Sequence, residues 1–234
     1  MFTEMPESII FTVILCIVSY LLGSIPNGVI IGKKFAGLDV REHGSKNMGA
    51  TNSIRTLGAK LGYTVFALDC LKGAVVIVLV KYILSNNFFT SPIPIVIYGI
   101  FAVLGHVFPI YIGFKGGKAV ATSLGLVLAL TPLPALICLI IFWLIIWLVG
   151  YVGLASCTAA VTMFIISIIM HFLYNNDVAI LNQVDLITLI FYFLIVVMII
   201  YRHKQNFIRM ARHEEHNIHA RVNNKNRKIR ETKK

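Results

Sequence analysis

The chain has 234 residues, 58% of them hydrophobic and only 13% charged, with a mean hydropathy of +0.83. Soluble domains carry roughly a quarter charged residues, so this composition excludes an ordinary soluble domain and points to a polytopic membrane protein. The formal net charge of +11 is unevenly placed: residues 1–32 hold no Lys or Arg, 33–60 hold six and 202–234 hold eleven.

In chain order, the first apolar run, Ile9 to Leu22, lacks the positive flank of a secretory signal and follows Glu4 and Glu7. It is therefore expected to remain as the first helix. Spans are expected at roughly 9–32, 61–84, 93–114, 119–131, 134–149, 152–173 and 186–201. A full crossing takes about 20 residues. The stretch 119–131 is short, and Thr131-Pro-Leu-Pro134 separates it from the next. Proline removes a backbone donor and restricts the residue before it. Fusing the two stretches puts the basic 33–60 loop and the basic tail on opposite sides of the bilayer. Keeping them apart places both on the cytoplasmic side, as Lys and Arg prefer. The expected fold is all-α, a polytopic membrane protein with seven transmembrane helices, N-terminus out and C-terminus in. Residues 1–219 form one membrane domain, and 220–234 a basic tail without fixed structure. Cys16, Cys70, Cys138 and Cys157 lie in apolar stretches without paired spacing and read as small buried hydrophobes.

This topology gathers three polar segments on one face. In Gly44-Ser-Lys-Asn-Met-Gly-Ala-Thr-Asn52, glycine lets backbone N–H groups approach an anion. Ser45, Asn47, Thr51 and Asn52 offer hydrogen bonds, and Arg41 and Arg55 suit bidentate phosphate binding. In Gly113-Phe-Lys-Gly-Gly-Lys118, Lys115 and Lys118 flank Gly116 and Gly117 where a new helix begins. A helix N-terminus with cations beside it suits an anion, although the spacing is not that of a Walker loop. In Tyr201-Arg-His-Lys-Gln-Asn206, His203 and Asn206 share a helical face. The neighbouring Arg202, Lys204 and Arg209 read mainly as a juxtamembrane basic segment. Asp69 and Lys72, three residues apart inside a span, are expected to pair. His213, His216 and His219 resemble a metal cluster but lack an ordered ligand motif; no metal and no cofactor are expected.

The ordered set of motifs resembles the PlsY family, the acyl-phosphate-dependent glycerol-3-phosphate acyltransferases of bacterial membranes. The matching segments are Gly23-Ser-Ile-Pro26, Asp39 through Arg55, Asp69-Cys-Leu-Lys-Gly73, Gly105-His-Val-Phe-Pro109 through Gly125, Tyr151 to Ser156, and Arg202 to Asn206 with Arg209 and Glu215. The resemblance implies transfer of a fatty acyl group from acyl phosphate to the 1-hydroxyl of sn-glycerol 3-phosphate. Lysophosphatidate and phosphate result, in the first step of phospholipid synthesis. It implies catalytic roles for Ser45, Arg55, Lys115, His203 and Asn206. Arg41, Asn47, Thr51, Asn52, Gly116, Gly117 and Lys118 are expected to bind substrate. The implied setting is the bacterial cell membrane, with the site on its cytoplasmic face. The implied partners are the two substrates, the bilayer and the enzyme that supplies acyl phosphate, with no nucleic acid. The proton goes to a phosphate oxygen in family accounts; an unperturbed histidine near neutrality makes His203 the alternative base.

Five positions depart from the family pattern. Lys46, Ala119 and His213 stand where the family has glycine, Gly150 stands where it has arginine, and Gly153 stands where it has serine. Among rival functions, a thioester-dependent acyltransferase is disfavoured because no histidine precedes an aspartate at the required spacing. A CDP-alcohol transferase is disfavoured because the four aspartates are scattered. A transporter for phosphate or an organophosphate suits Gly- and Pro-interrupted helices, but no internal repeat is present and the polar residues collect on one face.

Overall fold

The computed structural model describes residues 4–173 and 184–218. Its helices are α1 (Glu4–Ser24), α2 (Asn27–Ala36), α3 (Ala50–Leu57), α4 (Ala59–Ser85), α5 (Ile95–Val107), α6 (Val120–Leu130), α7 (Pro132–Val149), α8 (Val152–Leu173), α9 (Leu186–Arg202) and α10 (Lys204–Ala211). No strand occurs among the described residues. The expected tail at 220–234 lies outside them, as do His219 and most of the 174–185 loop.

Among the described residues, five stretches are long and apolar enough to cross a bilayer: Glu7–Ala36, α4, Ile95–Ile112, α7 and α8. The pair α9 and α10, bent by 44° at His203, makes a sixth. Each expected span contains a helix, but α6 has 11 residues. At 1.5 Å per residue it covers about 16 Å, roughly half a hydrocarbon core. Large apolar side chains such as Ile9, Trp147, Phe172 and Tyr201 face outward, as a lipid-facing surface requires.

Prolines mark where spans are interrupted, and side chains recover the backbone groups released there. Pro26 stands at the start of α2, and the carbonyl of Ile25 accepts from Lys72 Nζ at 2.9 Å as well as from the Asn27 amide at 3.1 Å. After α5 the Phe108 carbonyl accepts from Tyr20 Oη at 2.7 Å. Pro132 opens α7, where its missing N–H costs nothing. The α6 end before it is closed by Lys81 Nζ on the Ala129 carbonyl, 2.7 Å. Beside it, Thr131 Oγ1 and Tyr192 Oη lie 2.9 Å apart. Backbone at membrane depth is tolerated only when satisfied in this way.

Lipid tails are as apolar as leucine, so helix pairing in a membrane depends on close packing. Two crossings are built from reciprocal glycines. A Cβ on Gly23 of α1 would overlap the Ala102 carbonyl of α5, and one on Gly105 of α5 would overlap the Tyr20 carbonyl of α1. Gly73 of α4 meets the Thr122 carbonyl of α6 in the same way, and Gly125 of α6 meets the Cys70 carbonyl of α4. These contacts fix α6 against α4 and hence set the height of the loop that precedes it. A larger apolar cluster, including Leu126, Met163, Tyr192 and Ile199, joins α5, α6, α8 and α9.

The segment 33–60, expected to be an irregular loop, contains α3, bracketed by Gly49 and Gly58. After α10 the chain turns back on the molecule. Asn217 Nδ2 donates to the Val149 carbonyl at 2.9 Å, and the Ile218 amide donates to Gly150 O at 3.0 Å. That return places Glu215 in the interior.

Candidate active site

The three polar segments converge. The first, residues 39–52, is folded around Asn52, which is 1% exposed. Its Nδ2 donates to the carbonyls of Val40 (2.8 Å), His43 (3.0 Å) and Asn47 (2.8 Å). Its Oδ1 accepts from the Ser45 amide at 2.8 Å. Asn47 Oδ1 likewise accepts from the Gly49 amide at 2.8 Å, ahead of α3. Both asparagines therefore shape the loop. Ser45 is exposed on it, and Thr51 lies one turn before Arg55 on α3.

Arg41 grips Asp39 through two nitrogens, Nε at 3.0 Å and Nη2 at 2.7 Å, and Lys33 Nζ lies 3.5 Å from the same carboxylate. The Arg41 guanidinium holds the Asp39 carboxyl well below the usual carboxylate range. This pair forms one wall of an open cleft of about 510 Å³ lined by Asp39, Arg41, Glu42, Lys46, Phe114, Lys115, Gly116 and Arg202. Four cations face two carboxylates there, so two positive charges are left over.

The second segment is fixed on both sides. The Gly116 and Gly117 amides donate to the carbonyls of Val107 and His106, both at 3.1 Å. Their own carbonyls accept from Arg202 Nη2 at 2.9 and 2.8 Å. The glycine amides, expected to face substrate, are thus used within the fold, and the lysine side chains on either side supply the charge. In sequence Arg202 reads as part of a juxtamembrane basic segment. The structure makes it a clamp and a cleft wall, and its place beside His203 is the only sequence signal.

Lys118 belongs to a different cluster. Its ammonium bonds to Asn206 Oδ1, and Asn206 Nδ2 donates to Glu215 Oε1 at 3.1 Å. Arg209 Nε donates to Glu215 Oε2 at 2.7 Å, and Arg55 Nη2 lies 3.6 Å from Oε1. Three cations surround one carboxylate, again leaving two positive charges. Burial pushes Lys118 down to about 8, partly opposed by the charge of Glu215. His203 lies at the bend between α9 and α10, and its Nδ1–H donates to the Ile199 carbonyl at 2.8 Å. That bond uses Nδ1 and leaves Nε2 on the other edge of the ring.

The structure therefore brings Arg41, Lys115 and Gly116 into one basic cleft and Arg55, Lys118 and Asn206 into a second cluster, with His203 one turn from Asn206. Among the described residues, neither the Ser45 nor the Thr51 side chain hydrogen-bonds to either cluster. Glu215 is the organiser of the second cluster, and only its place in the motif order pointed to it. Three of the five departures from the family pattern are side chains that share a geometry: Lys46 (φ 56), Ala119 (φ 57) and His213 (φ 57) all occupy the left-handed region, where glycine carries no steric penalty. Gly150 also has a positive φ (77), and Gly153 packs on Asn206, where a Cβ would stand 3.1 Å from the Asn206 Cβ.

A family model described as glycerol-3-phosphate acyltransferase matches residues 13–213. The chain belongs to the glycerol-3-phosphate acyltransferase family. It is 41% identical over 227 residues to the glycerol-3-phosphate acyltransferase of Acholeplasma laidlawii, covering 92% of this chain and 96% of that one. It is 40% identical over 212 residues to the enzyme of Staphylococcus carnosus, covering 88% and 97%. Among solved structures it is similar to PlsY, an integral membrane glycerol 3-phosphate acyltransferase. The glycerol 3-phosphate form of PlsY gives a TM-score of 0.75 at 37% identity, covering 88% of this chain and 95% of that one. The lysophosphatidic acid form gives 0.72 at the same identity. The expected all-helical membrane fold and acyltransferase activity are those of this family, and the relatives make it a multi-pass bacterial membrane protein. The transporter reading is not favoured.

Proposed function

We propose that the acyl donor is a fatty acyl phosphate and that the 1-hydroxyl of sn-glycerol 3-phosphate attacks its carbonyl carbon. The new ester C–O bond forms as the acyl–phosphate C–O bond breaks. The hydroxyl proton ends on the departing phosphate, and the products are 1-acyl-glycerol 3-phosphate and inorganic phosphate. A mixed anhydride is already activated, so no nucleophilic side chain is needed; the task is to hold two anions together and stabilise charge at the carbonyl.

The observation that carries this reading is the division of the 115–118 loop between two clusters. Lys115 lines the open cleft and Lys118 bonds to Asn206, and each cluster has two positive charges to spare. Two phosphorylated reactants need two such places, side by side. In this reading Arg55, Lys115 and Lys118 hold phosphate oxygens and Asn206 keeps Lys118 in position. With Nδ1 held by the Ile199 carbonyl, His203 accepts a hydrogen bond from the attacking hydroxyl at Nε2, and the proton passes to phosphate. Ser45 and Thr51 approach the substrates from the 39–52 loop and α3, while Asn47 and Asn52 keep that loop in shape.

The reading also assigns seven crossings, with α6 as a short one packed on α4, and places the two clusters at the cytoplasmic face. The fall of Lys and Arg along the chain supports that orientation. The test is purified protein in detergent with acyl phosphate, acyl-CoA or acyl-carrier-protein thioester as donor. One phosphate released per lysophosphatidate formed, from acyl phosphate alone, is the expected result. Acylation from a thioester with acyl phosphate inert contradicts the proposal.

A further inference from the structure

Beneath the 113–118 loop lies a buried polar network that lines neither the cleft nor the Glu215 cluster. Asp69 Oδ1 on α4 lies 2.9 Å from Lys72 Nζ, 2.9 Å from Asn27 Nδ2 at the start of α2 and 3.7 Å from His106 Nδ1 on α5. Thr122 Oγ1 on α6 lies 3.2 Å from the same His106 nitrogen. Asp69 and His106 are each 2% exposed and Thr122 is fully buried. Ionisable groups at such a depth are expensive and are kept for a reason. The Asp69–Lys72 pair expected from the sequence is present, but an ion pair between α4 residues does not call for a histidine on α5.

The opposite edge of that histidine meets the loop. A Cβ on Gly117 would overlap His106 Nε2 and stand 3.0 and 3.1 Å from Cδ2 and Cε1. The ring is thus packed directly on the Gly117 backbone. Arg202 pulls on the Gly116 and Gly117 carbonyls, while the His106 and Val107 carbonyls receive their amides.

We propose that His106 is a positioning residue for acyl transfer. Its ring, oriented by Asp69 and Thr122, is the support on which Gly117 rests, and it fixes the placement of Lys115 and Lys118 in their separate clusters. The inference deepens the proposed function and rests on its assignment of both lysines to substrate.

A steric rescue tests it. Gly117→Ala places a methyl against the imidazole. His106→Asn keeps a donor near the Nδ1 position while emptying the space opposite Gly117. Gly116→Ala is the control, because its methyl would meet the backbone carbonyls of His106 and Val107 and the Pro109 ring, which His106→Asn leaves in place. Full-length protein in detergent is assayed by phosphate release, and its folding is followed by thermal unfolding. Gly117→Ala is expected to lose about a hundredfold in kcat/KM, the scale of a 1 Å misplacement. Adding His106→Asn should restore about tenfold of that and restore nothing to Gly116→Ala. His106→Asn alone should raise the KM of at least one substrate about threefold or more, with a smaller change in kcat.

Full activity of Gly117→Ala overturns the inference, as does a folded double variant without recovery, or equal recovery of Gly116→Ala. If Gly117→Ala does not fold, His106→Asn decides: KM values unchanged within about twofold for both substrates overturn it. If Lys115→Ala and Lys118→Ala retain full kcat/KM, the proposed substrate assignment has failed instead. If those two are inactive and the rescue fails, only the role of His106 is refuted.

Discussion

Replacing Glu215 by Gln should move the alkaline limb of the pH–rate profile, and the structure sets the direction and size. Burial lowers Lys118 to about 8, and the charge of Glu215 is the largest influence holding it up. The Asn206 amide bridges the two groups, so a single side-chain amide separates the ammonium from the carboxylate. At an effective dielectric of about 20, a unit charge on the order of 7 Å away contributes roughly 2 kcal/mol, or one to two pH units. The sign follows from the cation being the working form. Activity is full while Lys118 is protonated and falls as pH rises through its pKa. The parent enzyme should therefore lose kcat/KM above about pH 8, and Glu215→Gln should begin to lose it on the order of one unit lower. Lys118→Arg, which does not titrate in this range, should abolish the limb. The assay is phosphate release in detergent across pH 6–10 (roughly the span in which lysine in such a setting titrates), with thermal unfolding run alongside. An unchanged alkaline limb in folded Glu215→Gln, or a persistent one in Lys118→Arg, refutes the reasoning.

Lys46→Gly and His213→Gly should each raise stability by about 1 kcal/mol by removing left-handed strain at exposed positions. Ala119→Gly should be close to neutral, because the buried methyl it loses is worth about 0.8 kcal/mol; thermal or chemical unfolding in detergent checks all three. Arg202→Lys should lower kcat/KM about tenfold or more, since one ammonium replaces a guanidinium that spans two carbonyls; steady-state kinetics read it. Gly125→Leu should prevent folding by forcing α6 off the Cys70 carbonyl, which size-exclusion chromatography of the detergent extract detects. His203→Gln should keep activity within about a hundredfold. A larger loss in a folded variant would make the imidazole itself essential.

The spans were legible because a long apolar run has few alternatives, and Thr131-Pro-Leu-Pro134 did separate two helices. Their depth was not legible. That α6 stops at 11 residues depends on Lys81, Thr131 and Tyr192 closing its end, contacts between distant parts of the chain. The short helices α3 and α10 were hidden because their polar sequences carry no span signal. In the site, residue types announced an anion-binding surface, yet partners decided each role. Asn52 resembled a substrate donor but holds four loop groups. The Gly116 and Gly117 amides looked available but are used by α5. Arg202 and Glu215 work through contacts more than 80 and about 160 residues away in sequence, which no local pattern reveals. Glycine at the family positions of Lys46, Ala119 and His213 was a backbone signal, and the positive φ values supply its cause.

The most direct test of two neighbouring phosphate sites is the KM of each substrate in Lys115→Ala and in Arg55→Ala, one variant from each basic cluster. Loss of a charged hydrogen bond costs about 1.5–3 kcal/mol, or roughly tenfold and more in binding. Each variant should therefore raise the KM of one substrate at least about tenfold and leave the other within about threefold, and the affected substrate should differ between them. If both variants weaken the same substrate, or neither weakens any, the two clusters do not hold the two reactants.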